Sequence, residues 1–285
     1  MTAAASPGAL PQALRAAPLR HAEHVMGTVF SFAVRDPGPG GRRAGEAALR
    51  RAVRRLHRID ETFSPYWRDS PVSRLARAEI TLADCGPEVA EETGGWFTAH
   101  PGGRLDPSGW VKGWAVDEAV RILREAGAGD LCVSGGGDVR CVGGPWRVGI
   151  AHPGRPGALT AVVAGHDLAV ATSGTGERGP HIIDPHTGRP AGGLLSLTLV
   201  GRSPLTLART DAWATAAFAM GPERGLAWAE ARAGVEALAV LPDGRKRWTR
   251  GFPALVAPTP VSVAVGAGHA AAPPATEGGR GSRTV

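Results

Sequence analysis

Glycine and proline interrupt the apolar runs of this chain so often that long, uniform elements are ruled out. Its 285 residues include 41 Gly and 24 Pro, about 23% together, just under the range where such content signals disorder. A folded, enzyme-sized domain of short strands, turns and a few helices is therefore expected. With aromatic residues at 5% and a single Tyr, its core must come mainly from Ala, Val and Leu. A chain of this length buries one sizeable core, with two domains as the outer bound.

Residues 1–22 read as a flexible leader, 23–256 as the folded body, and 257–285 as a disordered Pro/Ala/Gly-rich tail. VMGTVFSFAVR (25–35) has strand composition and is followed by the turn residues DPGPGG. From 42 to 63, Leu49, Val53, Leu56 and Ile59 recur at helical spacing opposite Arg50, Arg51, Arg54, Arg55 and Arg58. A second helix is expected over Trp114–Ala126, entered from a loop that holds LDPSGWVKG. Strand pairs follow in 130–144 and 159–174, with single strands at 146–153 and 196–203. Helices from about Leu207 and over 222–234 precede a closing hairpin around PDG. Strands and helices mix without a regular βαβ repeat, which predicts α+β architecture with antiparallel sheet.

The net charge is +6. Seven arginines against Glu46 between residues 42 and 58 equal that whole excess, so the basic balance is one solvated helix face and not a nucleic-acid signature. Only Lys112 and Lys246 are lysines among 32 basic residues, which makes each of them conspicuous. Cys85, Cys132 and Cys141 fit neither a metal site nor a disulfide framework and read as buried or incidental in a reducing compartment. The chain offers no signal-peptide core and no membrane-spanning run, so a cytoplasmic location is expected.

Asp211 and Thr215 stand four apart on an expected helix, which puts a carboxylate and a hydroxyl on one face. Both are hard oxygen donors of the kind Mg²⁺ takes; an Asp favoured by the helix dipole and a Thr bonded to a carbonyl is the plain alternative. Lys112, at a helix entrance, suits a phosphate or is simply solvated. SGGGDV (134–139) allows close backbone approach but matches no phosphate-loop pattern, so a glycine-rich strand end or a bulge serves at least as well. His181, Asp184 and His186 lie too close to Pro185 for a helical zinc motif, and DPHTG reads as a turn. His181 is a candidate base or a structural histidine. Tyr66 either stacks on a planar ligand or caps a core edge, and Met26 is either a core filler or a site residue.

Taken in order, MGT (26–28), ETFSPYWRDSPVSRL (61–75), KGWAVD (112–117), GGD (136–138), VATSG (170–174), HIIDPHTGRP (181–190) and TDAWATAAFAMG (210–221) resemble the FAD:protein FMN transferase (ApbE) family over residues 25–252. The resemblance implies a duplicated α+β fold with FAD and Mg²⁺ in a cleft between its halves. It implies metal ligands at Asp211, Thr215 and a backbone oxygen near Gly109. Flavin contacts are implied at Met26, Tyr66, Asp106, Lys112, Ser173, His181 and Ile182, and catalytic roles for His181, Lys112 and Asp211. The implied reaction moves FMN from FAD to a Thr or Ser hydroxyl of an acceptor flavoprotein, releasing AMP. FAD pyrophosphatase activity and non-catalytic flavin binding are the other two readings, and neither nucleic acid nor an integral membrane segment is implied. Ala76 replaces the usual Asn after SRL, and Thr98 stands where the family's Asp would fall.

Overall fold

The protein is described by a computed structural model over residues 17–63, 91–98, 108–176 and 178–258. Its elements are β1 (Leu19–Val25), β2 (Thr28–Asp36), α1 (Gly41–Phe63), α2 (Ser108–Glu125), β3 (Asp130–Gly135), β4 (Asp138–Val142), β5 (Trp146–Ala151), β6 (Leu159–Gly165), β7 (Leu168–Gly174), β8 (Ser196–Arg202), α3 (Leu207–Ala219), α4 (Pro222–Glu230), β9 (Val235–Val240) and β10 (Lys246–Trp248). The antiparallel α+β expectation holds.

Eight strands form one antiparallel sheet in the order β1-β2-β3-β4-β7-β8-β9-β10, and β5-β6 is a separate hairpin. Each half of the large sheet has the same topology: a hairpin, two helices, then two strands of which the first joins the hairpin's inner edge. Pairing of β4 with β7, through Val139 opposite Val170 and Arg140 opposite Ala169, joins the halves. The fold is thus a duplication.

Period-two alternation decides which core each strand residue enters. Ala169 and Ala171 of β7 face the helices together with Leu197, Leu199, Ala237 and Ala239. Leu168 and Val170 point the other way, toward Trp146, Val148 and Ile150 of the β5-β6 hairpin. Helix α1 buries Ala48, Ala52, Leu56 and Ile59, while Arg43, Arg50, Arg51, Arg54 and Arg58 are exposed, as its periodicity requires.

Three boundaries differ from the sequence expectation. Strand β1 begins at Leu19, inside the expected leader; only its two ends are buried, so its polar middle (RHAEH) carries little strand signal. Met26 therefore lies in the β1-β2 turn and not at the start of a strand. Helix α2 begins at Ser108 and not at Trp114, because tertiary packing of its glycines, described below, outweighs their poor helix propensity. Helix α4 ends at Glu230, short of Gly234. The rest of the expected leader and tail, Cys85 and most of the ETFSPYWRDSPVSRL segment lie outside the described residues.

The α2–α3 junction depends on one side chain. Asp117 of α2 accepts hydrogen bonds from the first backbone amides of α3, Leu207 N to Oδ1 at 3.1 Å and Ala208 N to Oδ2 at 2.9 Å. Burial pushes the Asp117 pKa up, and these two amides pull it back. Asp117→Ala leaves both donors without their cap and is expected to cost about 1–3 kcal/mol. Urea unfolding of the variant beside the parent protein measures that loss.

Candidate functional site

Closely matched turns bring the site residues to one end of the sheet. The β1-β2 hairpin turns through Met26 (φ 56°) and Gly27 (φ 67°), and β3-β4 through Gly136 (φ 61°) and Gly137 (φ 95°). Both are two-residue hairpin loops with two successive positive φ values, the geometry that matches strand twist. The SGGGDV run is thus a tight hairpin turn, neither a bulge nor a phosphate loop. A methyl at Gly136 would sit 3.4 Å from Lys112 Nζ and 3.6 Å from Thr28 Cγ2, so Lys112, the β1-β2 hairpin and the β3-β4 turn meet there. Met26, a non-glycine residue in the left-handed region, carries strain of order 1 kcal/mol and packs against the main core.

Helix α2 lies antiparallel to α3 with glycine at the contact. A Cβ on Gly113 would be 2.7 Å from Ala208 Cα, and one on Gly109 would be 3.8 Å from Thr215 Oγ1 and 3.5 Å from Phe97 Cε2. Gly109 and Gly113 are one turn apart, which lets the two backbones approach. Lys112, between them, lies in this helix and not in a loop before it.

The resulting group of side chains draws on both halves. Asp211 is 5% exposed and its Oδ2 has no hydrogen-bond partner among the described residues. Asp138, 3% exposed, accepts from Thr172 N through Oδ1 at 3.0 Å and holds Oδ2 3.9 Å from Lys112 Nζ. Ser173 Oγ and Thr215 Oγ1 are hydrogen-bonded at 3.1 Å. Burial pushes the Asp211 pKa well above the usual carboxylate range, and the neighbouring Asp138 charge pushes it further; Lys112 and Arg178 oppose them. Because that folded-state pKa exceeds the unfolded one, the charge on Asp211 costs stability as pH rises through it.

A buried carboxylate oxygen with no partner needs a reason. Asp211 and Thr215 offer hard oxygen donors one helical turn apart, Gly109 lies against Thr215, and Asp138 adds a second negative charge nearby. That chemistry suits Mg²⁺ and not zinc. The residues present fit such an ion.

His181 is exposed, with Nδ1 donating to the Gly179 carbonyl at 3.0 Å. A carbonyl only accepts, so in the neutral ring Nε2 keeps the free lone pair. His181 makes no hydrogen bond to Asp211, Thr215 or Lys112 among the described residues. Ile182 buries its side chain in the main core and accepts from Ala191 N at 2.8 Å, leaving only backbone for a ligand. DPHTG is a turn closed by Asp184, whose Oδ1 accepts from His186 N at 2.8 Å, and the His186 ring packs edge-on against Trp96 at 4.3 Å. Among the described residues neither belongs to a His/Cys/Asp/Glu group that could hold a metal. Tyr66 and Asp106 lie outside the described residues.

Asp138 and Arg178 are the residues that sequence reasoning did not assign. Asp138 had a local signal, a carboxylate straight after three consecutive glycines; Arg178 had none. Residues 91–98 are anchored by Glu92, which accepts from Trp213 Nε1 at 3.0 Å and pairs with Arg209 at 2.9 Å. Phe97 from this segment is buried against Gly109.

Gly113→Ala drives a methyl into the α3 backbone, so it is expected to lower unfolding free energy by about 1–3 kcal/mol. Denaturant titration provides the measurement, and an unchanged midpoint would contradict the close helix contact.

The ApbE family model matches residues 88–239. The FAD:protein FMN transferase of Vibrio cholerae serotype O1 is 37% identical over 142 residues, 45% of this chain and 42% of that protein. The protein of the same name from Escherichia coli K12 is 34% identical over 135 residues, 42% of this chain and 38% of its own. The chain therefore spans about two fifths of the length of these curated relatives. Among solved structures, the flavin transferase ApbE from Vibrio cholerae superposes with a TM-score of 0.68 at 23% identity, covering 84% of this chain and 99% of that one. The ApbE protein of Thermotoga maritima gives 0.69 at 23%, with the same coverage. These two likenesses concern the fold, and they agree with the duplicated sheet described above. With a match to the family model over more than half of its length, the chain belongs to the ApbE family.

Proposed function

We propose that this protein is a Mg²⁺-dependent FAD:protein FMN transferase that modifies a Thr or Ser hydroxyl of an acceptor flavoprotein in the cytoplasm. The observation that carries the reading is the buried, partnerless Asp211 oxygen held one helical turn from Thr215 and beside Lys112 and Asp138. Family membership and the names of the matched relatives support the choice of flavin chemistry.

Asp211, Thr215 and the backbone near Gly109 are assigned to hold the cation, which when bound neutralises charge on the FAD pyrophosphate. Lys112 is assigned to the same phosphates, with its ammonium 3.9 Å from Asp138 Oδ2. Met26, Ser173, the backbone at Ile182 and, from outside the described residues, Tyr66 and Asp106 are assigned to position the flavin nucleotide. His181 Nε2 takes the acceptor hydroxyl proton. The acceptor oxygen then bonds to the phosphorus of the FMN half while the bond from that phosphorus to the AMP oxygen breaks.

The direct test incubates the protein with FAD, MgCl₂ and a candidate acceptor. An acceptor heavier by one FMN unit, with AMP released in equal amount, is expected. FMN and AMP without acceptor modification would instead indicate a pyrophosphatase, and FAD binding without AMP release a non-catalytic flavin binder.

Asp211→Asn removes the charge that burial opposes. It is expected to raise metal-free stability by roughly 1–3 kcal/mol while abolishing transfer. Thermal unfolding with and without MgCl₂ separates the two roles, because the ion should raise the melting temperature of the parent protein and leave the variant's unchanged. Lys112→Met should weaken FAD binding about tenfold or more, about 1.4 kcal/mol, as read by equilibrium titration.

A further inference from the structure

The register of the β3-β4 hairpin brings two cysteines together that the reading above does not use. Its two-residue turn is closed by the Gly135–Asp138 pair, and the third rung beyond is Cys132 opposite Cys141. Pairs alternate between hydrogen-bonded and non-hydrogen-bonded, which makes this rung a non-hydrogen-bonded one, where Cα atoms come to about 4.5 Å. A disulfide spans Cα separations of about 4.4–6.8 Å, so this rung falls at the short end of the range that can be bridged.

The two sulfurs are 3.4 Å apart and both thiols are free. Cys141 is fully buried beneath the β5-β6 hairpin, and Cys132 is partly buried beside it. Arg35 and Arg140 both favour the thiolate at this position, while contact with Cys132 and burial push the Cys141 thiol strongly up. Cys132 is consequently the point of entry and Cys141 the slower, resolving partner.

We propose that Cys132 and Cys141 form a reversible thiol–disulfide site that small-molecule disulfides of the glutathione type close. The Cys132 thiolate attacks one sulfur of the reagent, breaks its S–S bond and releases one thiol, leaving a mixed disulfide. Cys141 then gives up its proton and attacks Cys132 Sγ, expelling the second thiol. The two protein thiols lose two electrons and two protons, and the reagent takes both pairs. The bridge pins the hairpin whose turn faces Lys112.

Trypsin makes the test clean, because Arg140 lies between the two cysteines and cleavage there separates peptide 125–140 from peptide 141–147. Full-length folded protein treated with oxidised glutathione should yield these two peptides linked, about 2 Da below their summed mass, and dithiothreitol should restore them. Closure should be about tenfold or more faster in the folded protein than in concentrated urea, since the fold supplies the alignment. Cys132→Ser should leave the 141–147 peptide unlinked. Equal closure rates folded and unfolded, glutathione adducts alone, or links made to Cys85 would each overturn the proposal.

Discussion

The close crossing of α2 and α3 is the contact from which the rest of the site follows. Gly113 leaves no room for a methyl against the Ala208 backbone, and Asp117 ties the same helix to the first amides of α3. Helices with ordinary side chains at the contact pack 8–10 Å apart. Glycine here admits closer approach, and Lys112 on one helix comes within electrostatic reach of Asp211 on the other. The carboxylate is then buried with one oxygen unpaired, a cost that a bound cation would relieve.

Duplication explains why the group is assembled from two halves. Each repeat supplies a hairpin, a helix pair and two further strands, and the β4-β7 pairing sets them side by side. Lys112 and Asp138 come from the first repeat, Ser173, Asp211 and Thr215 from the second. Short turns with positive φ keep the first repeat's strands tight at this end, and the Gly136–Gly137 turn brings its backbone up to Lys112. The second repeat instead places the long 175–195 connection there, which carries Arg178 and His181.

Legibility in the sequence followed the range of the interactions. The i, i+4 spacing of Asp211 and Thr215, the arginine face of α1 and the DPHTG turn depend on neighbours within one or two turns, and each was readable. Strand β1 was not, because LRHAEHV buries only its ends and its pairing with β2 supplies what its composition lacks. The early start of α2 was hidden for a related reason: two glycines argue against a helix until α3 is present to exploit them. Asp138 was visible only as part of a glycine-rich motif, since its link to Lys112 crosses from a strand to a helix. The cysteine pair was equally hidden, because nine residues of separation say nothing about a shared rung until the turn sets the register.

Composition and periodicity alone determined an α+β chain with short antiparallel strands, a solvated arginine helix and a conspicuous lysine; the order of its motifs pointed to the family. Those properties arise from covalent neighbours and from local burial. Tertiary structure decided which carboxylate is stranded without a partner, which charges surround it and which thiols touch. Burial and electrostatic proximity are properties of the packed chain, and no stretch of sequence possesses them before the halves have joined.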